Sequence, residues 1–344
     1  ADRGSSWRNI GGGRTAFSLP ELAEIAAQNH HIFKELQYLS NIDYKPIRYI
    51  SFAHDEETYK ALEASKAWSK AEMIAPKQFR EEISPYFNAN PKKYISALVS
   101  EDCWQATPGK VVDLVRNLGI AAGGTVMEDC RVLEACREGK YTSVLVQTHD
   151  KKYVEYRTEH FVNALGSGAG KLCDSMGIDA GLYPVRHQAF ITRRLPMLGK
   201  HGTNLDMLID RQDYKGFSAV YGQQIAYTGQ IIGCASPKLD AMRIDKNLKV
   251  NTKAFLEIVS EMFSEWIPDL AGVGIQAVWA GYYTEPRYIV DPELGLFVGM
   301  CGHGFMLSQY IARMYVDKLL GRPVPEYFEK LKLNGPGLSE KAFK

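Results

Sequence analysis

The feature that most constrains this chain is a histidine between two glycines at the start of an amphipathic helix, "CGHGFMLSQYIARMYVDKLLG", residues 301–321. Leu307, Ile311 and Met314 have the i, i+4, i+7 spacing of one apolar helix face. Gly321 is suited to the position just after the last helical turn. Glycines before a helix either form a turn or let the backbone approach a ligand closely. The free N–H groups of the helix N-terminus would stabilise an anion or the electron-rich edge of a cofactor there.

Two more glycine-bearing loops lie far from this one in the chain. The first glycine loop is "RGSSWRNIGGGR" (3–14), the second is "FVNALGSGAG" (161–170), and "CGHGF" (301–305) is the third. The second loop follows a strand-like run and precedes a short helical pattern. One such junction is most often only a tight turn. Three of them favour one extended ligand that passes between the ends of several strands.

Composition sets outer limits on the function. The chain has 344 residues, of which 45% are hydrophobic and 24% charged, and its net charge is +1. This is typical of a globular protein with one large or two intertwined domains, and it does not favour nucleic acid as a partner. The cysteines are scattered, without zinc-site or disulfide spacing, as in reduced cytoplasmic proteins. No apolar run could span a membrane and no signal peptide is visible. Adjacent His30 and His31 do not share a helix face, so we expect no metal site.

Helical and strand-like patterns are mixed along the chain. Ser18 and Glu21 have the spacing of a capping box and predict the start of a helix with Ile25 and Phe33 on its apolar face. The stretch 183–234 is rich in strand-like runs. These patterns predict an α/β protein (α+β interleaved) whose core is interrupted by a mostly antiparallel sheet domain.

The order of the motifs resembles that of a known family. "GSS-x-RN-x-GG", "CRV", "VNALGSGAGKL", "LYPVRHQ" and "GLFV-x-x-x-GHGFMLS" follow one another as in the FAD-dependent amine and amino-acid oxidoreductases of the glycine oxidase, sarcosine oxidase and D-amino-acid oxidase superfamily. The resemblance covers nearly the whole chain and is closest to the β-subunits of heteromeric sarcosine oxidases, opine oxidases and dye-linked proline dehydrogenases. It implies a Rossmann-like FAD-binding domain (1–40, 100–180 and 270–344) and an antiparallel-sheet substrate domain (41–99 and 181–269).

The resemblance also implies roles for single residues, with non-covalent FAD as the cofactor. The first loop would pass the FAD diphosphate, ribityl chain and flavin ring, and the backbone of Val132 would meet the adenine. The third loop would lie at the flavin N1–O2 edge, where a helix N-terminus stabilises the negative charge of the reduced ring. The FAD-binding residues implied are Gly4, Ser5, Ser6, Arg8, Asn9, Gly11, Gly12, Gly13, Val132, Ala164, Gly166, Ser167, Gly302, His303, Gly304, Phe305 and Met306.

The family's first βαβ unit, with its GxGxxG and ribose-binding acidic residue, is not found in this chain. We expect about 40 residues of a Rossmann half to be missing. Either the chain is cleaved or truncated, or a second polypeptide supplies the unit. The third alternative is a degenerate subunit that no longer binds FAD.

Two lysines of the sarcosine oxidases are also absent. Ile231 stands about where the oxygen-activating lysine would be, and no lysine occurs from Tyr221 to Gly233. A buried ammonium would stabilise developing superoxide, so its absence favours a dehydrogenase over an oxidase. Met306 stands where a lysine holds the substrate carboxylate. The residues proposed instead for substrate binding are Arg14, Arg287, Tyr221, Tyr227 and Tyr283.

Two further residues near these motifs are interpreted as structural. His187 in "YPVRHQ" is more typical of a buried histidine with satisfied hydrogen bonds than of a pocket residue. Relatives with covalent flavin carry a cysteine near "AGYYTEPRY", and none is found there. Cys301 is close to the third loop but is interpreted as a small buried residue.

The sequence therefore predicts a FAD-dependent dehydrogenase acting on the C–N bond of a small amino acid or secondary amine. A hydride would pass from the α-carbon to flavin N5, the imine would hydrolyse, and the electrons would go to a partner rather than to oxygen. The alternatives are an oxidase of the same substrates, a 2-hydroxy-acid dehydrogenase and a flavin-free scaffold subunit.

Overall fold

The computed structural model describes residues 4–88, 93–198, 204–211, 216–225, 228–237, 252–286, 288–338 and 340. The helices are α1 (Ser5–Arg8), α2 (Pro20–Leu39), α3 (Glu56–Ala64), α4 (Phe79–Glu82), α5 (Pro108–Ala121), α6 (Ala169–Ser175), α7 (Thr252–Trp266) and α8 (Gly304–Leu319). The strands are β1 (Gly12–Gly13), β2 (Lys45–Ala53), β3 (Ala71–Ile74), β4 (Ser96–Gln105), β5 (Arg131–Glu138), β6 (Tyr141–Gln147), β7 (Tyr153–Thr158), β8 (Tyr183–Thr192), β9 (Met207–Asp210), β10 (Phe217–Gln224), β11 (Ile231–Pro237), β12 (Ile275–Glu285), β13 (Ile289–Asp291) and β14 (Leu296–Val298).

Nine of the described strands form one large sheet in the order β1-β4-β2-β9-β10-β11-β8-β12, with β3 beside β4. Neighbours are antiparallel except for β2 and β9, which run parallel. A separate antiparallel sheet contains β5, β6 and β7, and β13 pairs with β14. The predicted mixed α/β class is confirmed. The large sheet collects strands from both predicted domains, whose boundaries stay a prediction.

The two faces of the large sheet have different environments because successive side chains on a strand point to opposite sides. Phe190, Val220 and Ile231 face α7, and they form a buried cluster with Phe255 and Ile258 of that helix. The opposite face, which carries Ala189, Tyr221 and Cys234, lines a cavity. One face of the sheet therefore builds the core and the other builds the candidate site.

Helices α2 and α8 pack against each other through the faces that the periodicity predicts. Leu22, Ile25, Leu307 and Ile311 are fully buried in one cluster. Gly321 follows the end of α8 with a φ of +69°, as its position in the sequence predicts.

The predicted capping box at the start of α2 is wrong. The N-cap residue is Leu19, and no side chain caps the helix. Both the backbone N–H and the hydroxyl of Ser18 donate instead to the carboxylate of Glu340. Glu340 is fully buried, and a buried carboxylate needs donors more than an exposed helix terminus does.

Neither a membrane-spanning helix nor a metal site is found in the part of the chain that the structure describes. None of these helices has the length and apolar character to cross a membrane. No group of three or more His, Cys, Asp or Glu side chains in the same residues could hold a metal ion. His30, one of the two adjacent histidines, lies 2.6 Å from the hydroxyl of Tyr44 through its Nε2.

Candidate active site

A cavity of about 630 Å³ lies between the open face of the large sheet and the first and third glycine loops. We call it the main cavity. Strands β8 to β12 supply its floor, and the tail segment 336–338 with Glu340 supplies part of one wall. The fold therefore brings together two loops from opposite ends of the sequence.

Most of the residues proposed from the sequence in these two loops line the main cavity. So do two of the three tyrosines proposed for substrate binding. The predicted site residues on its wall are Ser5, Arg8, Asn9, Gly11, Gly12, Arg14, Tyr221, Tyr283, Gly302, His303, Phe305 and Met306.

The second glycine loop borders a different cavity of about 550 Å³, the side cavity, which Ser167 lines. Tyr282 belongs to the walls of both cavities, so the two adjoin. Val132 lies in β5 and packs with Leu172, away from both. Tyr227 and Arg287 lie outside the described residues. The remaining predicted residues line neither cavity: Gly4, Ser6, Gly13, Ala164, Gly166 and Gly304.

The first glycine loop is fixed by hydrogen bonds to β12 and by bonds within itself. The hydroxyl of Ser5 donates to the carbonyl of Tyr282 at 2.7 Å, and Arg8 Nη1 donates to the carbonyl of Ala280 at 3.0 Å. Asn9 Oδ1 accepts from the N–H of Gly11 at 2.7 Å. These residues hold the loop in place before any ligand binds.

The chain's own packing already requires glycine at several of these positions. A Cβ on Gly11 would lie 2.2 Å from the carbonyl oxygen of Ala106, and Gly11 has a φ of +79°. A Cβ on Gly12 would lie 2.2 Å from the hydroxyl of Tyr49. The protein's own packing is therefore sufficient to require glycine at Gly11 and Gly12, where the family resemblance implied contact with the flavin ring.

Two tyrosine hydroxyls meet inside the main cavity. Tyr221 Oη and Tyr283 Oη are 2.9 Å apart, and the ring of Tyr283 stacks on His187 with 3.6 Å between centroids. Burial raises the pKa of both tyrosines, so both stay protonated hydrogen-bond donors at neutral pH. His187 lines the main cavity, although the sequence analysis interprets it as a structural histidine rather than a pocket residue.

Residues 1–318 match the sequence family described as FAD dependent oxidoreductase (DAO). The chain belongs to this family. FAD is therefore its cofactor. A search of curated proteins finds no match.

Solved structures of three proteins share the fold of this FAD-dependent oxidoreductase. The L-proline dehydrogenase from P. horikoshii has a TM-score of 0.78 and 22% identity, over 96% of this chain and 87% of that one. The glycine oxidase from Geobacillus kaustophilus has a TM-score of 0.78 and 17% identity, over 96% and 88%. The iminodiacetate oxidase from Chelativorans sp. BNC1 has a TM-score of 0.74 and 12% identity, over 97% and 91%.

The residues of the FAD-dependent oxidoreductase fit the cofactor. Bare glycine backbone from Gly11, Gly12 and Gly302 faces the main cavity, and Arg8 and Asn9 add a cation and an amide. Such a wall suits a flat, electron-rich ring joined to an anionic chain. The two adjoining cavities would take the two ends of an extended ligand.

Residues that the sequence reasoning missed also line the main cavity. Tyr49, Arg211 and Glu285 contribute to its wall, and Cys301 Sγ donates to Glu285 Oε1 at 2.6 Å. The apolar run 207–209 before Arg211 indicates a strand but does not assign Arg211 to the site. Strand pairing, which decides which strands share a wall, is not visible in the sequence of a single strand.

The placement of Ile231 at the oxygen-activating position is wrong. Its side chain is 1% exposed and packs with Phe190 in the core beneath α7, on the opposite face from the cavity. The alternating residues of the same region, Tyr221 and Cys234, face the cavity instead. No lysine is among the described residues that line the main cavity.

Proposed function

We propose that this FAD-dependent oxidoreductase oxidises the C–N bond of a small amino acid or secondary amine. The observation that carries this is the wall of the main cavity, where a buried arginine, Arg14, and a pair of neutral tyrosine hydroxyls stand beside the third glycine loop. A guanidinium suits a carboxylate, and hydroxyls suit an amine nitrogen or a carboxylate oxygen. The structural neighbours named for L-proline, glycine and iminodiacetate support the same substrate class.

When bound, FAD would supply the two-electron oxidant for the carbon next to the nitrogen, and residues of the first and third glycine loops such as Arg8, Asn9 and Gly302 would hold it. The protein's own residues bind and orient the substrate. Arg14 would anchor the carboxylate. In the Tyr221–Tyr283 pair one hydroxyl donates to the other, and the hydroxyl that accepts would donate its own proton to the substrate. Apolar side chains such as Met207 and Ile209 would exclude water from the reacting carbon. A substrate amine that binds neutral needs no dedicated base.

We also propose that the enzyme is a dehydrogenase that passes electrons to a partner. The absence of lysine from the described cavity wall supports this, because no ammonium there would stabilise superoxide. The test is reduction of the holoenzyme by substrate under nitrogen, followed by admission of air. Slow reoxidation by air and fast reoxidation by an artificial dye are expected. Rapid reoxidation by air would make the enzyme an oxidase.

A second polypeptide that accepts the electrons is the partner that we propose. Apolar side chains on and after α5 support it, since Val115 and Leu118, one turn apart on the helix, are 45% and 40% exposed, and Met127, six residues after the helix ends, is 48% exposed. An exposed apolar patch of this kind marks an interaction surface. The protein should be purified from its source without separating subunits, and its visible spectrum and intact masses recorded. Flavin bands with a second polypeptide are expected, whereas a colourless protein without a partner would favour the scaffold.

Product analysis separates amine oxidation from oxidation of a 2-hydroxy acid on the same fold. Only amine oxidation releases ammonia or an amine when the imine hydrolyses. Turnover of hydroxy acids without either product would overturn the proposed substrate class.

We propose the cytoplasm as the location. All six cysteines are free thiols in the structure, which is typical of a reducing compartment. Cell fractionation with antibodies against the native protein tests this, and recovery outside the cytoplasm would contradict it.

A further inference from the structure

One wall of the main cavity holds two buried groups of opposite charge, Arg14 and Glu340. Arg14 is 4% exposed and Glu340 is 0% exposed, and both line the cavity. The guanidinium of Arg14 lies 4.2 Å from the centre of the Phe17 ring. The carboxylate of Glu340 accepts from the N–H of Ser18 at 3.0 Å and also from its hydroxyl. Two consecutive residues before α2 therefore hold both charged groups at the same wall.

The contact between Arg14 and His303 adds no charge to this wall. Arg14 Nη2 lies 3.3 Å from His303 Nε2, and His303 Nδ1 lies 2.5 Å from the hydroxyl of Tyr288. A guanidinium has only donors, so Nε2 accepts and the neutral ring carries its proton on Nδ1. Burial lowers the pKa of Arg14, and the carboxylate of Glu340 acts in the opposite direction. Glu340 therefore places a negative charge in the same buried wall as Arg14.

We propose that Glu340 is an internal competitor for the carboxylate subsite at Arg14 and so determines which substrates the cavity accepts. The inference rests on the amino-acid substrate class proposed above. Tail residues Pro336 and Leu338 line the same cavity. Leu338 is also buried in the core between α2 and α8, which fixes the tail.

The competition follows from charge. A substrate carboxylate that binds Arg14 enters the wall that already holds the carboxylate of Glu340, and two carboxylates at one site repel each other. An amine without a carboxylate meets no such competitor. The wall therefore weakens the binding of acids and leaves the binding of neutral ligands unchanged.

The test compares acetate with acetamide as probes of the full-length protein, purified with its cofactor and any partner. Thermal unfolding is followed at rising probe concentration, with sodium chloride at equal ionic strength as the reference. A ligand that binds only the folded state raises the Tm, and its affinity follows from the size of that rise. The variants are Glu340→Gln and, as a matched control, Glu326→Gln at an exposed position.

Glu340→Gln should bind acetate at least tenfold more tightly than the wild type and Glu326→Gln do. Acetamide should not distinguish the three proteins. Without acetate, Glu340→Gln should unfold at a lower temperature, because Arg14 loses a counter-charge. Equal acetate affinity in Glu340→Gln and the wild type would overturn the proposal.

A second variant covers the case in which Glu340→Gln does not fold. Glu340→Asp keeps the charge but withdraws it by one methylene, and it should give an intermediate gain in acetate affinity. An unchanged affinity would again overturn the proposal. Release of ammonia or amine from candidate substrates is measured separately on the wild type. If no amine is oxidised but the acetate result holds, the substrate class fails and the competition at Arg14 stands; the reverse pattern overturns the competition alone.

Discussion

Gly12 offers the sharpest test of how the first glycine loop is built. In a Gly12→Ala variant, the new Cβ would lie 2.2 Å from Tyr49 Oη, 3.1 Å from Met207 Cε and 3.3 Å from Tyr49 Cζ. Carbon atoms essentially never stay closer than 3.0 Å to such a neighbour, so the hydroxyl must move by about 0.8 Å or more. Tyr49 is 5% exposed and its ring packs in a cluster with Ile47 and Met207, so the hydroxyl can move only together with this packed ring.

Overpacking of this kind costs about 1–3 kcal/mol of folding free energy. The unfolding entropy of a chain of 344 residues is about 0.7 kcal/mol/K at the usual value per residue. The Tm of Gly12→Ala should therefore fall by about 1.5–4 °C in calorimetry. Gly4→Ala is the matched control, since a Cβ on Gly4 meets nothing within 4 Å and its φ is −61°. Its stability should change by less than about 0.5 kcal/mol.

A double-mutant cycle identifies the atom responsible. Tyr49→Phe removes the oxygen at 2.2 Å and leaves the ring carbon at 3.3 Å. The double variant should recover about 1–2 kcal/mol relative to the sum of the two single changes. Strict additivity would refute the reasoning, because the alanine would then destabilise through something other than that hydroxyl.

Two further predictions concern buried carboxylates. His54 Nε2 lies 2.6 Å from Asp210 Oδ1; burial lowers the pKa of His54, but the hydrogen bond and charge of Asp210 outweigh it and the pKa is raised. The ion pair stabilises the fold fully below the usual pKa of histidine, and this stabilisation is lost as the pH rises through the raised pKa. Asp210→Asn should therefore lower the free energy of unfolding by about 1.5–3 kcal/mol near pH 5.5 and by less at pH 9, as measured in urea titrations. An equal loss at both pH values would contradict the ion pair. Ser18→Ala should cost about 1 kcal/mol by losing the hydroxyl bond to Glu340, with the helix content by circular dichroism unchanged; loss of helix would restore the capping box.

The sequence predicts those parts of the fold that depend on local periodicity. The apolar faces of α2 and α8 are buried as their 3.6-residue pattern indicates, and the described part of 183–234 contains β8, β9, β10 and the start of β11. The predicted cap at Ser18 is wrong because a partner 322 positions away, Glu340, takes its hydrogen bonds. No local pattern contains that contact. For the same reason, Tyr49 and Arg211 could not be assigned to the site before the strand order was known.

The error at Ile231 shows how strongly the site depends on register. A slip of one residue along β11 would turn Ile231 into the cavity and Cys234 into the core, because neighbouring side chains point to opposite faces. A matching slip along β10 would bury the hydroxyl of Tyr221 beneath α7, away from Tyr283, its partner in the cavity at 2.9 Å. An unpaired buried hydroxyl costs about 1–3 kcal/mol of folding free energy. The slip would also expose the apolar surface of the displaced core residue, which lowers the stability further. The apolar packing under α7 therefore specifies the register, and the register decides which polar groups reach the cavity.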